Sequence, residues 1–338
     1  LKVADKTQSI PQKEVLSWLV FKPSEAGLNF EIDSTKAGAY LAKTATPLVA
    51  KPAGVTKVTT VDFTETARQD GQVGQTLALD ATLADIARVL KVLFGTKNDP
   101  LVISGSGTAG MEAAVANFGK GRKMAHLING KFGERMYSIG QRYASETIPL
   151  KSEWGTPLDL EGLKSALEGG CEVVTLVHNE TSAGILNPAG EVGKICRKHD
   201  ALLIMDGITS IGGDRVLADE WGVDVAFVGS QKCLAAPAGL AAVTVSDRAW
   251  DRAVKNPPYY LDLPAYRKNA AKNPMETPFT PAVPLFLALR EACLIIEEEG
   301  LDNRIARHHR MAGAVRKAVT AWGLEMFPRV DGLHQYSN

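Results

Sequence analysis

The sequence predicts an α/β protein whose mainly parallel sheet carries helices on both faces, preceded by a small α+β module. Three observations support this. From residue 100 onward, short apolar runs alternate with amphipathic stretches, the rhythm of βαβ units. Residues 1–85 lack that rhythm and are rich in Thr, Val, Lys and Gly, with short alternating stretches such as Lys57 to Phe63. The length, 338 residues, suits two domains, read here as 1–85 and 86–338.

In chain order, a helix over Leu83 to Phe94 leads into the second domain. Strands follow at Leu101 to Ser104, Lys123 to Asn129, Glu172 to His178, Leu202 to Met205 and Val223 to Val228. Between them Gly107 to Phe118, Leu158 to Leu167 and Glu191 to His199 place apolar residues every three or four positions, as amphipathic helices do. Gly169-Gly170 marks a helix C-terminus. Pro284 to Gly300 and Leu301 to Trp322 read as long helices. Arg290, Glu291, Arg304, Arg307 and Arg310 are expected on their solvated faces.

Composition narrows the partners. Lys plus Arg and Asp plus Glu both total 38, so no global field favours nucleic acid or an anionic membrane, and a small-molecule partner is expected. Apolar runs such as Ala201 to Met205 are far shorter than the roughly 20 residues of a membrane-spanning helix, and Leu1 to Ile10 does not read as a signal peptide. Cys171, Cys196, Cys233 and Cys293 lack metal-ligand spacing and read as reduced thiols, which suits a cytoplasmic protein. No metal is expected.

Three stretches carry candidate chemistry. Ser104-Gly105-Ser106-Gly107-Thr108 follows a strand and opens a helix, where free N–H groups and the helix dipole favour an anion. A Gly-Ser turn there is structural more often than not, and it matches neither the P-loop nor the dinucleotide pattern. Asp206 closes an apolar strand at its C-terminal end, where open α/β sheets place ligands; taken alone it reads equally as a helix cap. Lys232 follows Val228-Gly229-Ser230-Gln231 at another strand end, where its charge has to be desolvated or paired. His126 reads as a packed core histidine, Glu112 as a polar helix residue, and His178 as a residue that shapes the pocket.

Together with Asn129-Gly130-Lys131-Phe132-Gly133-Glu134-Arg135 and His178-Asn179-Glu180-Thr181-Ser182, these stretches resemble the class V aminotransferases, notably the serine–pyruvate and alanine–glyoxylate group. Order and spacing agree over roughly residues 90–338. The resemblance implies the large domain of the type I fold of pyridoxal 5′-phosphate (PLP) enzymes, PLP as cofactor, and a homodimer. It implies that Ser106, Gly107, Thr108 and Gln231 bind the cofactor phosphate and that Phe132 stacks on the pyridine ring. Thr181 would hydrogen-bond the phenolic oxygen and Asp206 would pair with the pyridine nitrogen. Lys232 would form the Schiff base and shuttle protons, and Thr280 would reach the phosphate of a neighbouring subunit.

The implied reaction is transamination between a small amino acid (serine, alanine or aspartate) and a 2-oxo acid such as glyoxylate or pyruvate. One rival is a PLP-dependent lyase of the cysteine desulfurase kind. Desulfurases usually carry histidine where this chain has Gln231 and Phe132. A second rival is a non-enzymatic binding protein in which residues 1–85 contact glycan. Trp18 to Leu90, including Leu28-Asn29-Phe30, Tyr40-Leu41 and Gly71-Gln72-Val73-Gly74-Gln75, resembles weakly a peptidoglycan-binding module found beside VanW-like and transpeptidase domains. No Pro-Gly-Pro-type segment precedes Phe94-Gly95-Thr96-Lys97, and no carboxylate-binding arginine is identified before Asn338. The expectation is therefore a C-terminal small domain cut short, and a fusion or an incomplete catalytic core.

Overall fold

The computed structural model describes residues 79–273 and 275–337, and within 1–78 only residues 2–3, 6–7, 13, 17–24, 27–33, 36, 57–61 and 64–69. Contacts divide the chain into two compact units, Leu1–Ala78 and Leu79–Asn338. In the first unit the described strands form antiparallel pairs, among them Leu19–Ser24 with Gly27–Ile32 and Lys57–Val61 with Thr64–Gln69. Tyr40-Leu41 and Gly71 to Gln75 lie outside the described residues.

The second unit begins with helix α1 (Leu79–Phe94), four residues ahead of the expected start, so the division between units falls at residue 78. Seven strands follow: β1 (Leu101–Ser104), β2 (Lys123–Ile128), β3 (Glu146–Lys151), β4 (Val173–Val177), β5 (Leu202–Asp206), β6 (Val225–Gly229) and β7 (Leu240–Val245). They form one sheet in the order β1-β7-β6-β5-β4-β2-β3. β3, β2, β4, β5 and β6 pair in parallel, and β7 runs antiparallel to both β6 and β1. The sheet is thus mainly parallel.

Successive side chains of a strand point to opposite faces, and both faces are covered. Leu203, Met205, Leu176 and Val228 face one cluster, and Leu202, Ile204, Val177 and Phe227 face the other. The first face is covered by α1, α4 (Leu160–Glu168), α5 (Ala189–Lys198) and α9 (Val283–Glu299) through Leu90, Leu163, Val192 and Phe286. The second is covered by α2 (Gly107–Phe118), α3 (Lys131–Tyr143) and α8 (Leu263–Ala270) through Met111, Met136 and Tyr266. Strands covered on both faces read as unbroken apolar runs; β5 and β6 are buried at every position.

The short helices α6 (Ala218–Trp221) and α7 (Asp247–Trp250) lie in connections. The last helix, α10 (Leu301–Ala321), carries a single buried residue, Arg304. The expectation that Arg304 belongs to a solvated face is corrected: its side chain turns inward onto backbone carbonyls, as described below. Residues Gln335–Tyr336 add a strand to a small antiparallel sheet with Ile185–Leu186 and Asn179–Glu180. No helix among the described residues is long and apolar enough to cross a membrane.

Candidate active site

A cavity of about 220 Å³ opens where β1, β4, β5 and β6 end, the edge at which open α/β sheets bind ligands. Ser106, Gly107, Thr108, Phe132, Thr181, Asp206, Gln231 and Lys232 all line it. Arg135, Val177, Asn179, Ile208 and Thr209 complete the wall. Thr280, also expected at a cofactor site, is exposed in the segment before α9 and lies outside this wall.

The phosphate-loop candidate is the start of α2. Ser106 is its N-cap, with an extended backbone (φ −70°, ψ 172°) and no capping hydrogen bond from its own side chain. Ala109 N donates to Ser106 O at 2.8 Å, while Ser106 and the first two helical residues, Gly107 and Thr108, border the cavity with the N–H groups that a helix start leaves without intrahelical partners. The backbone packs closely here. A Cβ on Gly107 would lie 2.6 Å from Ile208 Cδ1, and one on Gly229 would lie 3.4 Å from Gly107 Cα. This contact brings the Gln231-Lys232 turn beside the α2 N-terminus.

Asp206 is the last residue of β5 and is 3 % exposed. Its Oδ1 accepts the N–H of Ile208 at 2.8 Å. Burial pushes its carboxyl up to about 7; the Ile208 bond and the Arg135 charge oppose the shift, and the Glu180 charge adds to it. A carboxyl so placed exchanges a proton readily with a ligand base near neutral pH. Lys232 stands three residues beyond β6 in a turn and is exposed, where the sequence reading had its charge desolvated or paired.

Two walls frame these groups. Phe132, half-buried on α3, has the Arg135 guanidinium over its ring at 4.9 Å, and the pair lies three residues apart on one helix face. Opposite, Asn179 Nδ2 donates to Thr209 O at 3.1 Å and to Thr209 Oγ1 at 3.0 Å, and the Thr209 and Thr181 hydroxyls lie 2.8 Å apart. Asn179 is 6 % exposed, and its Oδ1 has no hydrogen-bond partner among the described residues. A buried acceptor left in this state costs free energy unless a ligand or water supplies a donor.

Sequence reasoning missed Glu180. Its side chain is fully buried, and its carboxylate accepts from the N–H groups of Phe132 (3.1 Å) and Gly133 (3.0 Å) and from the Ser182 hydroxyl (2.6 Å). A carboxylate on the first N–H groups of α3 satisfies orphan donors and complements the helix dipole, and so fixes the Phe132 ring. Arg135 and Thr209 were missed as well. Arg135 carries a usable signal, its spacing of one helical turn from Phe132; nothing local marks Thr209.

His178 sits behind the site, with Nδ1 2.9 Å from Ser210 Oγ and its ring edge-on to Trp221. Burial pushes it down to about 4, so it stays neutral. His126 is packed in the core on Thr175, as the sequence suggested.

Comparison with known proteins adds ancestry to this geometry. The family model of aminotransferase class-V matches residues 83–327. An uncharacterized aminotransferase of Methanocaldococcus jannaschii is 44 % identical over 73 % of this chain and 66 % of its own length. The L-aspartate–glyoxylate aminotransferase of Paracoccus denitrificans is 37 % identical over 70 % of this chain and 62 % of its own. The chain thus spans a little under two thirds of the length of these relatives. The crystal structure of an alanine–glyoxylate aminotransferase from Nostoc sp. superposes with a TM-score of 0.70 at 34 % identity, covering 77 % of this chain and 70 % of that one.

Proposed function

Because the chain belongs to the class-V aminotransferases, we propose that it is a PLP enzyme that moves the amino group of a small amino acid (serine, alanine or aspartate) to glyoxylate or pyruvate. The observation that carries this reading is the single cavity in which separate strand ends bring together a buried carboxyl, a lysine, a helix N-terminus and an aromatic ring. The relatives named for glyoxylate as amino acceptor support the choice of acceptor.

The residues fit the cofactor. The α2 N-terminus with Ser106, Gly107, Thr108 and Gln231 suits its phosphate, Phe132 suits its ring face, and Asp206 suits its pyridine nitrogen. The cavity also holds an unpartnered buried acceptor, Asn179 Oδ1. When bound, PLP supplies an aldehyde that exchanges amines and a ring that takes up the electrons left when substrate Cα loses its proton.

The chain's own residues supply the rest. Asp206, as a carboxylate, would keep a proton on the pyridine nitrogen: burial alone favours its neutral form, and a cationic ring beside it would favour the ionised one. Lys232 Nζ would hold the cofactor at its aldehyde carbon and would be free as an amine when a substrate amine takes its place. That amine would serve as the base that accepts the proton of substrate Cα and gives it back. Thr181 steadies the phenolic oxygen, and Arg135 adds positive charge for an anionic substrate. Thr280 serves the phosphate of a second subunit in a cytoplasmic homodimer. A desulfurase reading is disfavoured by Gln231 and Phe132, and by Cys233, whose thiol burial pushes up and whose Sγ donates to Thr209 O.

The test is chemical. Borohydride added to the PLP-loaded protein is expected to fix the cofactor on Lys232, read by peptide mass spectrometry. Label on a different lysine, or none, rejects the assignment.

A further inference from the structure

Arg304 is only 6 % exposed, although it lies on α10, whose other residues all keep some exposure to solvent. Its Nε donates to Gly212 O at 2.9 Å and its Nη2 to Cys233 O at 2.6 Å. Its Nη1 donates to Glu299 Oε2 at 2.8 Å, and Glu299 is held from the other side by Arg307 at 2.6 Å. The guanidinium therefore joins two turns. One runs from Asp206 through Thr209 to Gly212, and the other carries Lys232 and Cys233.

The two turns leave the paired ends of β5 and β6, where Gly207 N donates to Phe227 O at 3.0 Å, and beyond that pairing side chains tie them. Cys233 Sγ donates to Thr209 O at 3.3 Å, a weak sulfur bond. The lysine turn is shaped by its own backbone, with Ala235 N on Lys232 O and Ala236 N on Ser230 O, and it forces Ala235 to a positive φ of 56°. Lys232 itself is exposed, so no burial of its own side chain anchors it. The place of its Cα relative to Asp206 depends on what holds the following carbonyl. A planar guanidinium spans two carbonyls at once with donors fixed on separate atoms, whereas an ammonium gathers its donors on one nitrogen at the end of a flexible stem.

We infer that Arg304 is a positioning residue that sets the distance and angle between Lys232 and the ring held over Asp206. The inference rests on the assignment of Lys232 as the residue that holds PLP. The step it governs is the capture of PLP. Lys232 Nζ adds to the aldehyde carbon, the carbon–oxygen double bond is replaced by a carbon–nitrogen double bond, and the oxygen leaves as one water. The phosphate loop, Phe132 and Asp206 make their contacts without Lys232, so capture and non-covalent docking separate.

The experiment compares the parent protein with Arg304→Lys and Arg304→Ala, each stripped of cofactor. Capture is the rate at which added PLP develops the absorbance of the lysine-bound form. Docking is the affinity for pyridoxamine 5′-phosphate, which has no aldehyde to bond to Lys232. Arg304→Lys is expected to dock pyridoxamine phosphate as the parent does and to capture PLP roughly tenfold more slowly or worse, since a misplacement of about 1 Å is costly for a bond-forming step. Guanidinium ion added to Arg304→Ala is expected to restore part of the capture rate. Docking and capture lost in parallel, an Arg304→Lys protein that does not fold, or a capture rate equal to the parent's each overturn the inference. Parent protein that captures no PLP on Lys232 overturns instead the functional reading beneath it.

Discussion

The Asp206 carboxyl sits at the end of an apolar strand with one backbone donor, and burial pushes it up to about 7, above the value of about 4 for an unfolded chain. Below pH 4 both states carry the proton and there is no penalty. As pH rises from about 4 to 7, the unfolded chain releases its proton and the folded one retains it, so stability falls across that window and levels off above it. Asp206→Asn removes the titration. The variant without cofactor is expected to match the parent near pH 4 and to exceed it above pH 7, by at most about 4 kcal/mol for a shift of this size. Urea midpoints measured against pH check this; identical profiles for the two proteins contradict it. If Asp206 pairs with the pyridine nitrogen as proposed, the order is expected to reverse in the presence of PLP, because the carboxylate would then have a cationic partner. Alone, Asp206 read equally as a helix cap. That it would line the cavity was legible because it ends an apolar strand at the edge where open sheets place ligands and stands in the order of stretches that resembles the class V family. Its proton affinity was not, because that depends on how Glu180 and Arg135, distant in the chain, surround it.

Helix α3 depends on a partner remote in sequence. The Glu180 carboxylate occupies its N-terminus, and a Cβ on Gly130 would fall 2.3 Å from Glu180 Cγ. Glu180→Ala leaves buried N–H groups unpaired and is expected to cost about 2 kcal/mol in urea unfolding. It is also expected to weaken PLP affinity, since Phe132 loses its anchor; a drop in stability with unchanged affinity separates the cap from the site. Strands β1, β2, β4, β5 and β6 were readable as short apolar runs bounded by polar and turn residues, and helix α2 as a stretch long enough for a helix that follows a Gly-Ser turn. β3 was not read: it carries Pro149 and pairs on one side only, with β2, an edge position that tolerates proline. The direction of β7 follows from its connection. Residues 230–239 are too short for a crossover helix, which takes about a dozen residues or more, so the chain returns antiparallel.

At the scale of the molecule, the division at residue 78 gives a test of autonomy. Residues 79–338 contain both clusters of the core and every residue lining the cavity. Expressed alone, they are expected to unfold in one cooperative transition and to bind PLP with the affinity of the full chain. A cut at residue 85, the boundary read from the sequence, removes the first turns of α1 and the Asp85 carboxylate that Arg290 of α9 holds at 2.7 Å. It is expected to lower the urea midpoint relative to the cut at 78. Equal midpoints for the two fragments contradict the placement of α1 in the second unit.

What the sequence determined by itself was the alternation of strands and helices, the burial of both sheet faces, and the short stretches at strand ends that line the cavity. Each of these is written in local pattern: period, turn residues and the polar residue that interrupts an apolar run. What only the tertiary structure decided was the set of contacts between stretches far apart in the chain. Glu180 on the α3 N-terminus and Arg304 across the Asp206 and Lys232 turns are of this kind. A buried charge is stable only where its partners converge, and that convergence is a property of the packed sheet, which no single stretch of sequence contains.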